Sequence, residues 1–354
     1  MEFGITWANV NNMDYVVRAE KLGYTHLWVT DSQMIRSDCI AVLTMAAMKT
    51  TTLKMGTGVA VPGLRLAPVL ANAIATVNSI APGRVFVALG TGNTAMRLLG
   101  RRPVRLKEFA EYIKVVKGLI RGEEVAYADG KGASHRIQFS LLDKGYINIK
   151  DHIPVYVAAD GPKTQALAGE LADGITTTLI PHPETVDQIL ASARAGAQQA
   201  GRTLTDFHLS VRGKVIVLAP GEPVDSDRVI AQMGPAFMSM VHKRVDRFLE
   251  TGEEPPNYLK PIWKDYLEFH MKRPEELRQR MMHETHEVYV NPEERRFITP
   301  EMLKTFLIIG RPEEVVDQIR DLQRRGVQQV KCNFPPEQGR EMMEDFSRNV
   351  IQRM

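Results

Sequence analysis

The strongest constraint on this sequence is an alternation repeated eight times. Short runs rich in β-branched and aromatic residues fall at 2–7, 26–30, 53–61, 85–89, 153–157, 175–180, 209–219 and 327–333. Between them lie segments with apolar residues at helical spacing, at 14–22, 38–49, 67–80, 104–121, from Pro162 onward, 184–200 and 311–325, with a last helix at 337–354. Strands separated singly by helices run parallel and are joined by right-handed crossovers. Eight such units predict an α/β fold, the (β/α)8 TIM barrel, as one domain over 1–354. A doubly wound open sheet fits the same alternation and stands as the alternative. The exception is 222–300, charged, Met-rich and helical in pattern, which reads as a helical insertion after the seventh strand.

Composition narrows the function classes. Charged residues make up 25% of the chain and balance to a net charge of +3, with no basic stripe interleaved with aromatics, so nucleic acid is not an expected partner. The two cysteines, Cys39 and Cys332, stand far apart, and neither structural zinc nor a disulfide framework is expected. The opening MEFGITWANV lacks a basic region followed by an apolar one, and no run reaches about 18 apolar residues. A cytoplasmic protein without a membrane partner is the expectation.

In a barrel of this kind the working residues sit at the carboxyl ends of the strands. Those ends are Trp7 and residues 30–33, 58–61, 90–93, 158–164 and 177–182. The most informative stretch is 153–174, IPVYVAADGPKTQALAGELADG. A strand leads through Ala158 and Ala159 to the turn Asp160-Gly161-Pro162. A helix then opens, with Pro162 in its first turn, where a missing amide hydrogen costs nothing. Unpaired amide hydrogens and the helix dipole make such a start an anion site, and Lys163 and Thr164 add a charge and a donor. The plain alternative is an ordinary strand-to-helix connection.

The same ends lack the usual tools of protein-borne catalysis. Asp31 and Asp160 are their only acids, and there is no GxSxG elbow and no HExxH. The HETHE run at 283–287 places His283 and His286 at i and i+3 on a polar helix, a solvated face, and no metal is expected. His182, after the sixth strand, is a candidate to face the mouth. The loop Gly90-Thr91-Gly92-Asn93 is not a P-loop, because it lacks the Gly-Lys-Ser/Thr ending. What the ends do offer is small: Gly58, Ala88, Gly90, Gly92, Ala158, Ala159 and Gly161. Small residues leave room for something flat and wide, a bound cofactor carrying the hard chemistry.

Four pieces, in order, carry a family likeness: AEKLGYTHLWVTDS, KMGTGVAVPGLRLAPVLANAIATVNSIAPGRVFVALGTGN, IPVYVAADGPKTQALAGELADG and GRPEEVVDQIRDLQRRGV. With them the chain resembles the bacterial luciferase-like flavin and deazaflavin oxidoreductases, and within these the proteins similar to methylenetetrahydromethanopterin reductase. The resemblance implies a TIM barrel with an insertion after strand seven, commonly dimeric, binding FMN or the 8-hydroxy-5-deazaflavin coenzyme F-420 at the carboxyl end. It also implies a bulge in the third strand with a non-prolyl cis peptide supporting the ring, which falls here at Gly58–Val59. By the same likeness residues Gly90, Thr91, Gly92 and Asn93 flank the ring. Ala159, Asp160, Gly161, Pro162, Lys163 and Thr164 form the phosphate turn.

One departure bears on mechanism. Many members carry an acidic residue followed by histidine after strand two, where this chain has Asp31-Ser32-Gln33. Serine does not exchange protons near neutral pH as imidazole does, so either Asp31 or His182 handles protons or the chemistry needs no such help; these two, with Ser32 at the position of the histidine, are the catalytic candidates. The expected activity is an FMN-dependent monooxygenase acting on a small organic substrate and fed by a separate flavin reductase. The alternatives are deazaflavin-dependent hydride transfer and a flavin-binding barrel without catalysis. Arg36, Arg65, Arg97, Arg101 and Arg102 are scattered candidates for a deazaflavin's acidic tail. Met233, Phe237, Met238, Met240, Trp263, Tyr266 and Phe269 make the insertion either a lid over an apolar substrate, a helical packing unit or a dimer surface.

Overall fold

Parallel pairing of the strands closes into a barrel. The computed structural model describes residues 1–92, 95–96, 99–128, 133–179, 181–283, 289–334 and 339–354. Among these, β1 (Glu2–Thr6), β2 (His26–Val29), β3 (Lys54–Thr57), β4 (Val85–Leu89), β5 (Val155–Ala158), β6 (Gly174–Thr177), β7 (His208–Gly213) and β8 (Gln329–Cys332) form the closed sheet in the order β1-β8-β7-β6-β5-β4-β3-β2. The alternating helices are α1 (Asp14–Lys21), α2 (Cys39–Lys49), α3 (Ala67–Ile80), α4 (Leu106–Ile120), α5 (Pro162–Leu171), α6 (Pro183–Gln199), α7 (Pro312–Arg324) and α8 (Gly339–Asn349). The fold is the expected (β/α)8 barrel, not the open sheet.

Strand alternation divides the side chains between two environments. One set, including Ile5, Leu27, Val87, Val157, Leu209 and Val330, is fully buried. The other set fills the barrel. Trp28 and Phe86 lie 4.6 Å apart, Phe86 and Tyr156 5.4 Å, and Tyr156 stacks on His208 at 4.8 Å. The Trp28 indole donates to Gln329 Oε1 at 2.9 Å, and the Ser210 hydroxyl donates to the same oxygen at 3.0 Å. This aromatic plug makes the barrel a packed core up to the level of Trp28.

Helices α5 and α6 approach backbone to backbone. A Cβ on Gly169 would lie 1.9 Å from the Ala193 carbonyl oxygen, and one on Gly196 would lie 1.9 Å from that of Ala166. Glycine at both positions lets the two helices touch, which fixes α5 and the turn that precedes it.

Three local expectations change. The strand read at 209–219 is interrupted at Lys214: His208–Gly213 belongs to the barrel, whereas Val215–Val217 pairs in parallel with Ile308–Gly310, a strand the sequence reading missed. Between α4 and β5, where the sequence reading has no strand, Val125–Ala128 and Ser134–Ile137 form an antiparallel hairpin. Their largely exposed side chains carry no apolar pattern that marks a strand. The last helix spans Gly339–Asn349, shorter than its pattern predicted.

By its contacts the chain divides into two units, Met1–Gly213 with Arg320–Met354, and Lys214–Ile319. The second holds the helices Asp227–Thr251, Lys260–Met271, Arg278–His283 and Pro300–Phe306. Its apolar residues pack on one another: Phe237 lies 5.4 Å from Phe306, Phe248 5.7 Å from Trp263, and Tyr266 4.9 Å from Phe297. The buried Glu294 carboxylate accepts from Tyr266 at 2.8 Å and Arg273 at 3.0 Å and meets His242 at 3.2 Å. These partners offset its burial and hold its carboxyl below the usual range. Met233, Phe237, Met238, Trp263 and Tyr266, among the apolar residues named for the insertion, are buried within this unit. No described helix is long and apolar enough to cross a membrane.

Candidate active site

The site begins where β3 loses register with β4. At Thr57 a side chain replaces the backbone in the ladder: its hydroxyl donates to the Ala88 carbonyl at 2.7 Å and accepts from the Ala88 amide at 3.0 Å. The Gly58 amide donates to Val29 at 2.6 Å, and pairing with β4 resumes at Ala60, whose amide donates to Ala88 at 2.8 Å. Between these points the Gly58–Val59 peptide bond is cis, at the place the resemblance implied. Val59 packs against Trp28, Phe86, Ala88 and Tyr156.

Glycine is required here for closeness. A Cβ on Gly58 would meet Trp28 Cβ at 2.9 Å, and one on Gly90 would meet Val59 Cγ2 at 2.5 Å and Ala158 Cβ at 3.4 Å. Gly92, at φ +77°, turns the chain beside Val61. The β3–β5 side of the mouth is therefore walled by backbone, methyl groups and Val59, which suits a flat ring. Thr91 accepts from the Val104 amide at 3.0 Å, and Asn93 lies outside the described residues.

The turn after β5 is built around Asp160. Its carboxylate accepts from the Thr177 hydroxyl at 2.7 Å, the Thr178 amide at 2.9 Å and the Thr178 hydroxyl at 2.5 Å, tying the ends of β5 and β6 together. With its carboxylate held in this way, Asp160 positions the turn. Ala159 is anchored through its amide to the Thr176 carbonyl at 3.0 Å. Gly161 is the N-cap of α5, with no side-chain cap, Pro162 follows, and nothing lies within 4 Å of where a Gly161 Cβ would stand. The amide hydrogens of Gly161 and Lys163 meet no acceptor among the described residues. Lys163 is exposed and Thr164 half-buried beside them. Free amides, a helix start and open space together fit a phosphate.

The catalytic candidates do not converge. Asp31 is buried at the end of β2, and Arg65 holds both its oxygens, through Nε at 3.2 Å and Nη2 at 3.3 Å; the same guanidinium reaches Asp38 at 2.5 Å. Asp31 therefore anchors Arg65. Ser32 is half-buried, and its carbonyl accepts from the Arg36 amide at 3.0 Å. His182 is exposed at the N-cap of α6, and its side chain does not cap that helix. It follows β6, which three strands separate from β2 in either direction around the barrel. The helix of the HETHE run lies outside the described residues beyond His283, whose side chain is likewise not described.

Two interior cations escaped the sequence reading, which treated their strands as plain core. Gln329 and Ser210 are register partners that meet inside the barrel, so two residues on, the partners Lys331 and Arg212 project into the same interior. The Lys331 ammonium donates to the Thr176 hydroxyl and sits 4.3 Å above the Trp28 ring. Burial, and then the neighbouring Arg212, push the Lys331 ammonium down to about 7. Lysine and arginine inside otherwise apolar strands were the signal available. The cleft in the second unit, lined by Pro261, Phe269, Arg296 and Phe297 among others, contains none of these residues.

The profile of the luciferase-like monooxygenase family matches residues 8–329. The chain belongs to that family. Among similar proteins is the 5,10-methylenetetrahydromethanopterin reductase of Archaeoglobus fulgidus, 28% identical over 351 residues, covering 95% of this chain and 94% of the relative. The F420-dependent glucose-6-phosphate dehydrogenase of Nakamurella multipartita is 29% identical over 257 residues, covering 69% and 71%. Among solved structures, the coenzyme F420 dependent tetrahydromethanopterin reductase from Methanopyrus kandleri superposes with a TM-score of 0.74 at 23% identity, covering 99% of each chain. This luciferase-like chain is accordingly an oxidoreductase of the flavin- or deazaflavin-dependent kind.

Proposed function

We propose that this oxidoreductase uses the deazaflavin coenzyme F420 and transfers hydride to or from a small organic substrate at the carboxyl end of the barrel. The sequence expectation preferred FMN and oxygen chemistry. The observation that moves the reading is the likeness over 95% of the chain to a reductase, joined by a relative named for F420 dependence.

When bound, the deazaflavin supplies a carbon that gives or takes a hydride without oxygen. The protein's own part is positioning. Val59 and the cis Gly58–Val59 bond back the ring, and Gly90 and Ala158 leave its edge free. The amides of Gly161 and Lys163, with the Thr164 hydroxyl, hold the phosphate. Asp160 keeps that turn in place through Thr177 and Thr178. The aromatic plug below Trp28 closes the barrel to water.

Titration of the purified protein with F420 and with FMN, each followed by its own fluorescence, tests the reading. Tight binding of F420 alone supports it. Tight binding of FMN with none of F420 returns the protein to the monooxygenase reading.

A further inference from the structure

We infer that Arg212, Lys331 and Thr176 form an oxyanion-binding site on the floor of the barrel mouth, and that it takes an anionic group of the substrate. The inference rests on the proposed placement of the cofactor phosphate at the α5 turn, since that leaves the interior cations without a ligand.

Arg212 and Lys331 are register partners on adjacent strands and point into one interior. Neither has a carboxylate within ion-pair distance among the described residues. The other charges facing Lys331 do not neutralise it. Asp160 attracts it but is engaged by Thr177 and Thr178, and Arg212 repels it. Deeper in the barrel lies His208, held neutral down to about pH 4, with Glu2 and Lys54 beyond it. Two like charges side by side in a desolvated interior are costly unless an anion joins them.

The geometry suits such an anion. Arginine offers a planar fork, lysine a point charge, and Thr176 a hydroxyl already oriented by the Lys331 ammonium. Trp28 closes the floor beneath, 4.3 Å from the ammonium. Gly4, the β1 partner of Lys331, contributes no side chain to the space above. The matching ligand chemistry is a carboxylate or phosphate carried by a small substrate.

Calorimetric titration with inorganic sulfate, which does not change its charge near neutral pH, tests the site. Saturable binding is expected, with proton uptake at pH 7–8, because an anion beside Lys331 raises its proton affinity. Arg212→Met and Lys331→Met, each checked for folding by circular dichroism, should weaken sulfate about tenfold or more. The proton uptake should vanish in Lys331→Met. Absence of saturable sulfate binding, or binding unchanged in both folded variants, overturns the site. F420 titrated into the sulfate complex separates the two possible sources of the anion. Simultaneous binding supports a substrate group, whereas expulsion of sulfate assigns the cations to the cofactor and overturns the inference. A protein that binds sulfate as expected but no F420 overturns the cofactor reading and leaves the anion site standing.

Discussion

Thr57 and Ala88 are joined twice, the threonine hydroxyl donating to the alanine carbonyl at 2.7 Å and accepting from its amide at 3.0 Å. One side chain thus stands in for a strand's backbone while the chain bulges through Gly58 and Val59. Ala88 is buried, so removing the hydroxyl leaves its amide without a partner and its carbonyl with the Ala60 amide alone. Thr57→Val, nearly isosteric, should lose about 1–3 kcal/mol in urea unfolding, and Thr57→Ser should recover most of it. A valine variant as stable as the parent would show that the bulge is held by other contacts.

Gly161 separates cofactor binding from folding. Its φ is −104° and nothing lies within 4 Å of the added Cβ, so a side chain costs the fold little. Gly161→Leu should keep stability within about 0.5 kcal/mol. Cofactor affinity should fall more than about tenfold, because the side chain fills the space before the free amides. Unchanged affinity for both F420 and FMN would place the phosphate elsewhere.

Lys331 makes stability depend on pH in a stated direction. Its folded value, about 7, lies below its unfolded one. Between pH 7 and about 10.5 the unfolded chain therefore holds more protons, and stability rises with pH. At pH 7 and below, the full penalty of a buried ammonium is present. Lys331→Met should raise stability at pH 6 by on the order of 3 kcal/mol, and the gain should shrink toward pH 10. Thermal melts of both proteins across that range decide the matter; a gain that does not change with pH would mean that packing, not charge, is responsible. A residue that costs stability in this way suits a binding role.

The contact of α5 with α6 is a test of the scaffold. Gly169→Ala would place a methyl against the Ala193 carbonyl oxygen, a backbone atom without freedom to yield. A loss of about 2–4 kcal/mol is expected in chemical denaturation. Because α5 carries the turn at Gly161, F420 affinity should fall as well. Loss of stability with full affinity would show that the turn is held by Asp160 alone.

Local pattern and order along the chain determined the architecture of this protein. Eight β-branched runs alternating with amphipathic helices favour closure into a parallel barrel, and glycine and alanine at the strand ends mark the β3–β5 wall and the turn at Gly161. What only the tertiary structure decided depends on partners distant in sequence. Asp31 is occupied because Arg65, 34 positions away, folds back onto it. His182 and Ser32 are separated because β6 and β2 stand across the barrel from each other. Lys331 and Arg212 lie 119 positions apart, as do their neighbours Gln329 and Ser210. A charge within an apolar strand carries no sign of which face it takes or what it meets there. Barrel closure sets both, because the register that pairs β7 with β8 turns two separate cations into one site.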